Sequence, residues 1–493
     1  MNTQTVELNK NVAEFLKGTK KLFINGEFVE SESGKTFNTY NPSTGEVLAV
    51  VSEASEKDVD KAVKAARKAF EDGPWPKMTA AERSHLMYRL SDLIEKHQEE
   101  LAIIETLDNG KPINEARLID LPNSIETYRY FSGWATKNMG QTIPISGNLL
   151  NYTKHEPVGV VGAIVPWNFP LMIAGWKVAP ALATGCTVVL KPAEQTPLSV
   201  LYLGKLIKEA GFPDGVINIV PGFGETAGAA IVEHPDVNKV AFTGSTTVGQ
   251  SIMREAAKTM KRVSLELGGK SPNIILPDAD LSKAIPGVFT GIMTNQGEVC
   301  SAGSRIYVHK DLYEHVVSEL TTLVEKVKMG IGMDEETQMG PLVSLEQQKR
   351  VQDYIEIGKK QGARVISGGV CPEKGYFVQP TIFADVTNDM RIAQEEIFGP
   401  TVVVISYDDI DDVIAKANDS DYGLAAGIWT ENVKNAHYIA ERLKAGTVWI
   451  NTYLLVNPAA PFGGFKQSGF GRDMGSYALD NYTEVKSVWL SLE

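Results

Sequence analysis

Two residues between Arg262 and Arg305 have the types and neighbours that acyl chemistry at a carbonyl carbon requires. Cys300 lies in N-Q-G-E-V-C-S-A-G-S-R, surrounded by Gly297, Ser301, Ala302 and Gly303. A cysteine that only fills space belongs in an apolar periodic run, because a free thiol packs as a small hydrophobe. Small and polar neighbours instead let backbone N–H groups and a substrate approach the sulfur, as nucleophilic catalysis demands. Glu266 ends the alternating run R-V-S-L-E-L and is followed by Gly268 and Gly269. A carboxylate at that exit has room to move and to hold a water, the work of a general base. Taken singly, packing stays open for Cys300, and a surface or ion-paired role stays open for Glu266.

Composition narrows the setting. A chain of 493 residues is long enough for at least two cores. A hydrophobic content of 43% with 22% charged residues reads as soluble and globular. The net charge of -13 argues against nucleic acid or an anionic membrane as partner, since phosphate needs a basic surface. The three cysteines, Cys186, Cys300 and Cys371, lack framework spacing, which fits a reducing, cytoplasmic compartment and no metal site. The N-terminal M-N-T-Q-T-V-E-L-N-K-N-V-A-E-F-L-K has no apolar core and no arginine before Arg67, so it reads as neither a secretory leader nor a transit peptide. Val158 to Leu190 is apolar enough to suggest a membrane span, but Pro166, Pro170 and Pro180 interrupt it and Asn168 and Lys177 would be costly in lipid. It reads as buried core, without membrane insertion.

The elements that must position these residues are legible in order. Leu22 to Val29 forms a hairpin at Asn25-Gly26, and Asn41 to Val50 a turn leading into a strand. Helices follow at Glu56 to Phe70, Ala80 to Lys96 and Gln98 to Leu107, with a longer one running to about Lys137. Its Tyr128, Tyr130, Phe131 and Trp134 read as core packing. Gln141 to Val158 is a hairpin turning at Ser146-Gly147-Asn148, and Thr483 to Leu492 a lone strand with apolar residues to spare. Two incomplete edges predict an interface.

The central section has the clearest rhythm. Apolar runs at Val158 to Val165, Cys186 to Leu190, Val216 to Val220, Lys239 to Phe242 and Val263 to Leu267 leave room for a helix between successive runs. That is the pattern of a parallel sheet covered on both faces, a doubly wound nucleotide-binding domain with its ligand at the carboxyl ends of the strands. Each end presents polar residues: P-W-N-F-P, where the Asn168 amide is placed to donate to an oxyanion; K-P-A-E with Lys191 and Glu194; P-G-F-G; and F-T-G-S-T-T-V-G opening a helix that suits a phosphate. On spacing alone, Lys191 and Glu194 also read as a solvated pair, and the glycines as ordinary residues at a helix start. Beyond Pro272 a second α/β domain begins, with S-R-I-Y-V-H from Ser304, a charged helix from Lys310 to Lys328 and E-E-I-F-G-P at Glu395 to Pro400.

Together, L-E-L-G-G-K and G-E-V-C resemble the aldehyde dehydrogenase superfamily, and the similarity runs from Leu22 to the C-terminus. The kinship points to the NAD-dependent, non-acylating type, nearest the retinal-type, mitochondrial-type and related bacterial enzymes. It implies residues 1-138 and 158-267 as an NAD-binding domain, 268-470 as an α/β catalytic domain, and 139-157 with 471-493 as a small β oligomerisation element. It further implies a homo-oligomer, a tetramer built from dimers, with one subunit's tail extending another's sheet. Implied roles are Cys300 as nucleophile, Glu266 as general base and Asn168 as oxyanion donor. Gly244 and Ser245 would meet the pyrophosphate, Lys191 and Glu194 the adenosine ribose, and Glu396 and Phe398 the nicotinamide end. Val165, Trp167, Gly224, Leu267 and Gln347 would complete the cofactor site. A carboxylate at Glu194 would repel an added phosphate, which predicts NAD over NADP. For Phe398 a packing role stays open.

Where many relatives have G-R-E, this chain has G-R-D, and the shorter Asp473 is a candidate for relaying the base's proton, with helix N-capping as its alternative. Asn123, Phe169, Trp176 and the Tyr453 to Pro458 segment match the positions that wall the family's substrate tunnel. Val456 is small where small-aldehyde enzymes often carry phenylalanine, which predicts long, aromatic or retinal-like aldehydes. The matched positions hold no lysine or arginine, which counts against carboxylate-bearing substrates. A coenzyme-A-acylating enzyme, a catalytically silent relative and a simple thiol esterase are the competing readings; Glu266, the presence of both catalytic residues and the nucleotide-domain rhythm argue against each in turn.

Overall fold

Five parallel strands form where the apolar runs lie: β1 (Val160–Ile164), β2 (Thr187–Lys191), β3 (Ile217–Ile219), β4 (Lys239–Thr243) and β5 (Arg262–Glu266). The computed structural model describes residues 9–372 and 374–493; residues 1–8, the first part of the segment read above for a leader, lie outside the described residues. The strands are ordered β5-β4-β1-β2-β3. Chain direction therefore reverses its march across the sheet between β1 and β4, and the loops leaving those two strands diverge to open a crevice. Register aligns their exits, pairing Thr243 with Glu266 and Ile164 with Lys191. Helices α1 (Pro170–Thr184), α2 (Leu198–Ala210) and α3 (Thr246–Ala256) follow β1, β2 and β4. Every residue of α1 is buried, including Lys177, and the left-handed Gly185 ends it. The apolar stretch from Val158 to Leu190 is thus a strand, helix and strand of the core, and no helix among the described residues is long and apolar enough to cross a membrane.

A second sheet follows with strands β6 (Pro272–Ile275), β7 (Arg305–His309), β8 (Arg364–Ser367), β9 (Thr381–Ala384), β10 (Thr401–Tyr407), β11 (Ala425–Trp429) and β12 (Thr447–Ile450), in the order β8-β9-β10-β7-β6-β11-β12. Only β8 runs antiparallel to its neighbour. The short strand Gly469–Phe470 returns to pair with β5, tying the end of the chain to the exit of Glu266.

Three expectations need correction. The C-terminal strand Thr483–Ser491 is not a lone edge: it pairs antiparallel with Leu149–Pro157 of the same chain, from Thr483 opposite Pro157 to Ser491 opposite Leu149. Asn151 is buried in that ladder and donates to Ser487 Oγ at 2.9 Å and the Val488 carbonyl at 3.1 Å, so each strand satisfies the other's backbone. The long helix expected to reach Lys137 ends at Trp134 and opens with a wide turn at Ala116–Asp120. There the Leu121 N–H reaches the Ala116 carbonyl, five residues back, because Pro122 has no N–H to close the usual bond to Leu118. Tyr128 and Phe131 are core residues, but Tyr130, only partly buried against that core, also lines a cavity.

Candidate active site

Two cavities meet at a single residue. The first, about 700 Å³, opens at the carboxyl ends of β1, β4 and β5 and is lined by Trp167, Asn168, Gly244, Ser245, Glu266, Leu267, Gln347, Glu396 and Phe398, among others. The second, about 570 Å³, is walled largely by apolar residues and includes Asn123, Phe169, Trp176 and the whole Tyr453 to Pro458 segment. Among the described residues, Cys300 alone belongs to both walls.

Local packing explains the glycines beside Glu266. A Cβ at Gly268 would collide with the Glu396 carboxylate, and one at Gly269 would meet the Cys300 carbonyl. Without side chains, the Gly269 N–H donates to Glu396 Oε1 at 2.8 Å while the Cys300 loop lies directly against the strand exit. The loop before Cys300 is drawn in by Asn295, Gln296 and Gly297, three successive residues with φ of 46°, 56° and 73°. Phe398, also left-handed at φ 64°, is held by Gln347 Nε2 donating to its carbonyl at 2.6 Å and meets Trp167 edge-on at 5.2 Å. A bulky residue keeps that backbone form only when its surroundings impose it.

The electrostatics suit a resting, protonated site. Glu266 is buried, and neither carboxylate oxygen has a hydrogen-bonding partner. Burial pushes its pKa up to about 8, with Asp473 adding to the rise and Lys177 opposing it. Burial, then the Glu266 and Glu396 charges, hold the Cys300 thiol well above its ordinary range. Glu396 is raised to about 7, mainly by burial. Asp473 caps no helix: it pairs with buried Lys177 and its backbone bridges to Phe462, so the capping reading falls because the next helical turn begins beyond it with Gly475 at its N-cap.

Of the expected cofactor residues, Trp167, Gly244, Ser245, Leu267, Gln347, Glu396 and Phe398 gather on the first cavity. Ser245 N-caps α3, accepting from the Val248 N–H, and Thr243 Oγ1 is buried beside it without a partner. A polar cleft at a helix N-terminus with an unpartnered hydroxyl suits a phosphate-bearing group. Val165 is buried and does not line the cavity, its N–H donating to the Lys191 carbonyl. Lys191 is not solvated: it is 3% exposed, donating to Glu194 at 3.1 Å and to the Pro192 carbonyl at 2.9 Å. Its stem passes Gly228 of the turn that starts at Gly224, where a side chain would meet only open space; neither Lys191 nor Gly224 lines the first cavity. Glu194 lines a separate cavity of about 310 Å³.

Asn123, Phe169, Trp176 and Val456 all line the second cavity, with the Trp176 indole N–H donating to Asn123 Oδ1 at 2.9 Å. Among the described residues its wall holds no lysine or arginine and one carboxylate, Glu126. Sequence reasoning missed Leu118, Ile119, Tyr130 and Phe462, which also line it; the π-type turn before Pro122 was the available signal for the first two.

Residues 28–488 match the model of the aldehyde dehydrogenase family. A Bacillus subtilis protein named as an aldehyde dehydrogenase, DhaS, is 63% identical over all of both chains. The human mitochondrial aldehyde dehydrogenase is 52% identical, covering 95% of this chain and 91% of its own. The NAD+ complex of an aldehyde dehydrogenase from Bacillus cereus superposes with a TM-score of 0.99 at 64% identity, over 99% of this chain and 100% of that one.

Proposed function

The chain belongs to the aldehyde dehydrogenase family, and from that premise we propose how it works: an apolar aldehyde is oxidised to its carboxylic acid through covalent adducts on Cys300. It is an NAD-dependent aldehyde dehydrogenase. The observation carrying the finer reading is that Cys300 is the one residue common to a polar cleft and an apolar tunnel. Cofactor and substrate enter from opposite sides and meet at its sulfur.

Gly244, Ser245 and the α3 N-terminus hold the pyrophosphate, Lys191 and Glu194 the adenosine ribose with Gly224 leaving space beside them, and Gln347, Glu396 and Phe398 the nicotinamide end. Trp167, Leu267 and the underlying Val165 form the wall. Bound there, NAD supplies the hydride acceptor and a positive charge beside the thiol. Cys300 gives its proton to water in the cleft, and Sγ adds to the aldehyde carbon. The carbonyl electron pair moves onto oxygen, where the free N–H of the Asn168 amide and the Cys300 backbone N–H donate. Loss of hydride leaves a thioester on Cys300. Glu266, as carboxylate, then deprotonates a water that adds to the thioester carbon; the C–S bond breaks and the acid leaves. Asp473 and Lys177 act on Glu266 with charges of opposite sign and are the candidates for passing its proton onward.

The tunnel favours neutral, bulky apolar aldehydes, retinal-like ones included. Purified protein given NAD and acetaldehyde, benzaldehyde or retinal is expected to form NADH with sustained turnover, with kcat/KM about tenfold or more higher for the larger substrates. Acetaldehyde as the best substrate would overturn the open-tunnel reading, and release of a coenzyme A ester would overturn hydrolysis. Glu194→Gln removes the charge that would repel a ribose phosphate, so the NAD to NADP ratio of kcat/KM is expected to fall about tenfold. An unchanged ratio would remove Glu194 from cofactor choice.

Exposed Leu149, Tyr152, Val485, Trp489 and Leu490 on the paired strands support a homo-oligomer formed through this sheet, and three free cysteines support a cytoplasmic location.

A further inference from the structure

We infer that Lys111, anchored by Asp120, is a positioning residue that sets the Asn168 amide for the oxyanion, an assignment resting on the reading of Asn168 above. Lys111 follows the left-handed Gly110 at the end of helix Gln98–Asn109 and is 0% exposed. An ammonium that leaves water entirely must be fully partnered. Its partners point toward the site: the Asp120 carboxylate, the Asn168 carbonyl at 2.9 Å, and the face of Phe169 at 4.1 Å from the ring centre.

The Asn168 carbonyl also accepts from Asn295 Nδ2 at 3.0 Å, while the Asn168 amide spends one N–H on the Glu298 carbonyl at 2.9 Å. Backbone and side chain of Asn168 are thereby both fixed, and its remaining amide N–H has one direction left. Asn295 and Glu298 belong to the loop that carries Cys300, so Lys111 fastens the donor to the nucleophile's own support. That loop is held in its left-handed course by Glu115 Oε2 accepting from the Asn295 N–H at 2.8 Å and by Gln296 Oε1 accepting from the Gly340 N–H at 3.2 Å. Phe169, between Lys111 and the tunnel, puts the cation behind the place where negative charge develops on the aldehyde oxygen. Glu105, Glu115 and Glu298 also face this cation, and burial raises all three against its pull.

A double-mutant cycle with Asn168 tests the inference. Lys111→Met combined with Asp120→Asn removes both charges, so Asp120 is not left as an unpaired carboxylate in the core. Measured as the rate of the first NADH turnover, this pair is expected to slow the step about 10- to 100-fold, with aldehyde KM and NAD binding within about threefold of the parent. On an Asn168→Ala background the same pair is expected to cost less than about twofold, because a residue acting through Asn168 has nothing left to position. Equal losses on both backgrounds, or a first turnover at the parent rate, would overturn it. Asn168→Ala at full rate would remove the oxyanion reading beneath it. If the paired variant does not fold, Asp120→Asn alone keeps the ammonium on Asn168 and is expected to lose less than about threefold; a loss as large as that of Asn168→Ala would assign the effect to Asp120 instead.

Discussion

Cys300→Ala is expected to abolish NADH formation from every aldehyde while NAD still binds within about twofold of the parent affinity. Removing a nucleophile typically costs several orders of magnitude, on the order of 10⁴-fold or more, because the remaining site has no route to the covalent adduct. The substitution deletes only Sγ: the close approach of the Cys300 carbonyl to Gly269 and the Asn168 and Glu298 contacts involve other atoms. Cofactor binding, measured by NAD titration, therefore separates lost chemistry from lost structure. A variant turning over at more than about a hundredth of the parent rate would put the nucleophile elsewhere.

Glu266→Gln is expected to leave one rapid turnover of NADH per active site and then slow the steady state about 10²- to 10⁴-fold, the usual worth of a general base. Acylation needs Cys300 and the oxyanion donors, whereas hydrolysis needs a base beside the thioester. The pH dependence carries a second signature. Glu266 works as carboxylate, and burial raises its pKa to about 8. Below that pH the ionised fraction falls about tenfold per unit, so deacylation in the parent is expected to climb with pH and level off above about 8. In the glutamine variant that climb should be missing from the slow phase, because no carboxyl remains to ionise. A full steady-state rate in the variant would assign the base to another group.

Much of the site was legible before the tertiary structure because each part has a local cause. Five near-continuous apolar runs with helix-length gaps define a buried parallel sheet, and the polar residues at their exits follow from where such sheets bind ligands. The Gly268-Gly269 pair read as room for the carboxylate to move and to hold a water, whereas the structure fills the space beside those glycines with Glu396 and the Cys300 backbone. Asp473 was ambiguous for the opposite reason. Its neighbours in the chain resemble a helix start, whereas its partner, Lys177, is 296 positions away.

The sequence by itself determined the five strands of the parallel sheet, which residues carry reactive groups and that the thiol has small neighbours, since burial patterns and side-chain chemistry are properties of short stretches. Tertiary structure alone decided that Cys300 is shared by two cavities, that the C-terminal strand completes its own chain's sheet, and that Lys111 reaches the Asn168 carbonyl. Those facts depend on strand order and on hydrogen bonds between residues tens to hundreds of positions apart. Local periodicity does not encode such pairings; they form only once the sheets have brought their exits to one edge.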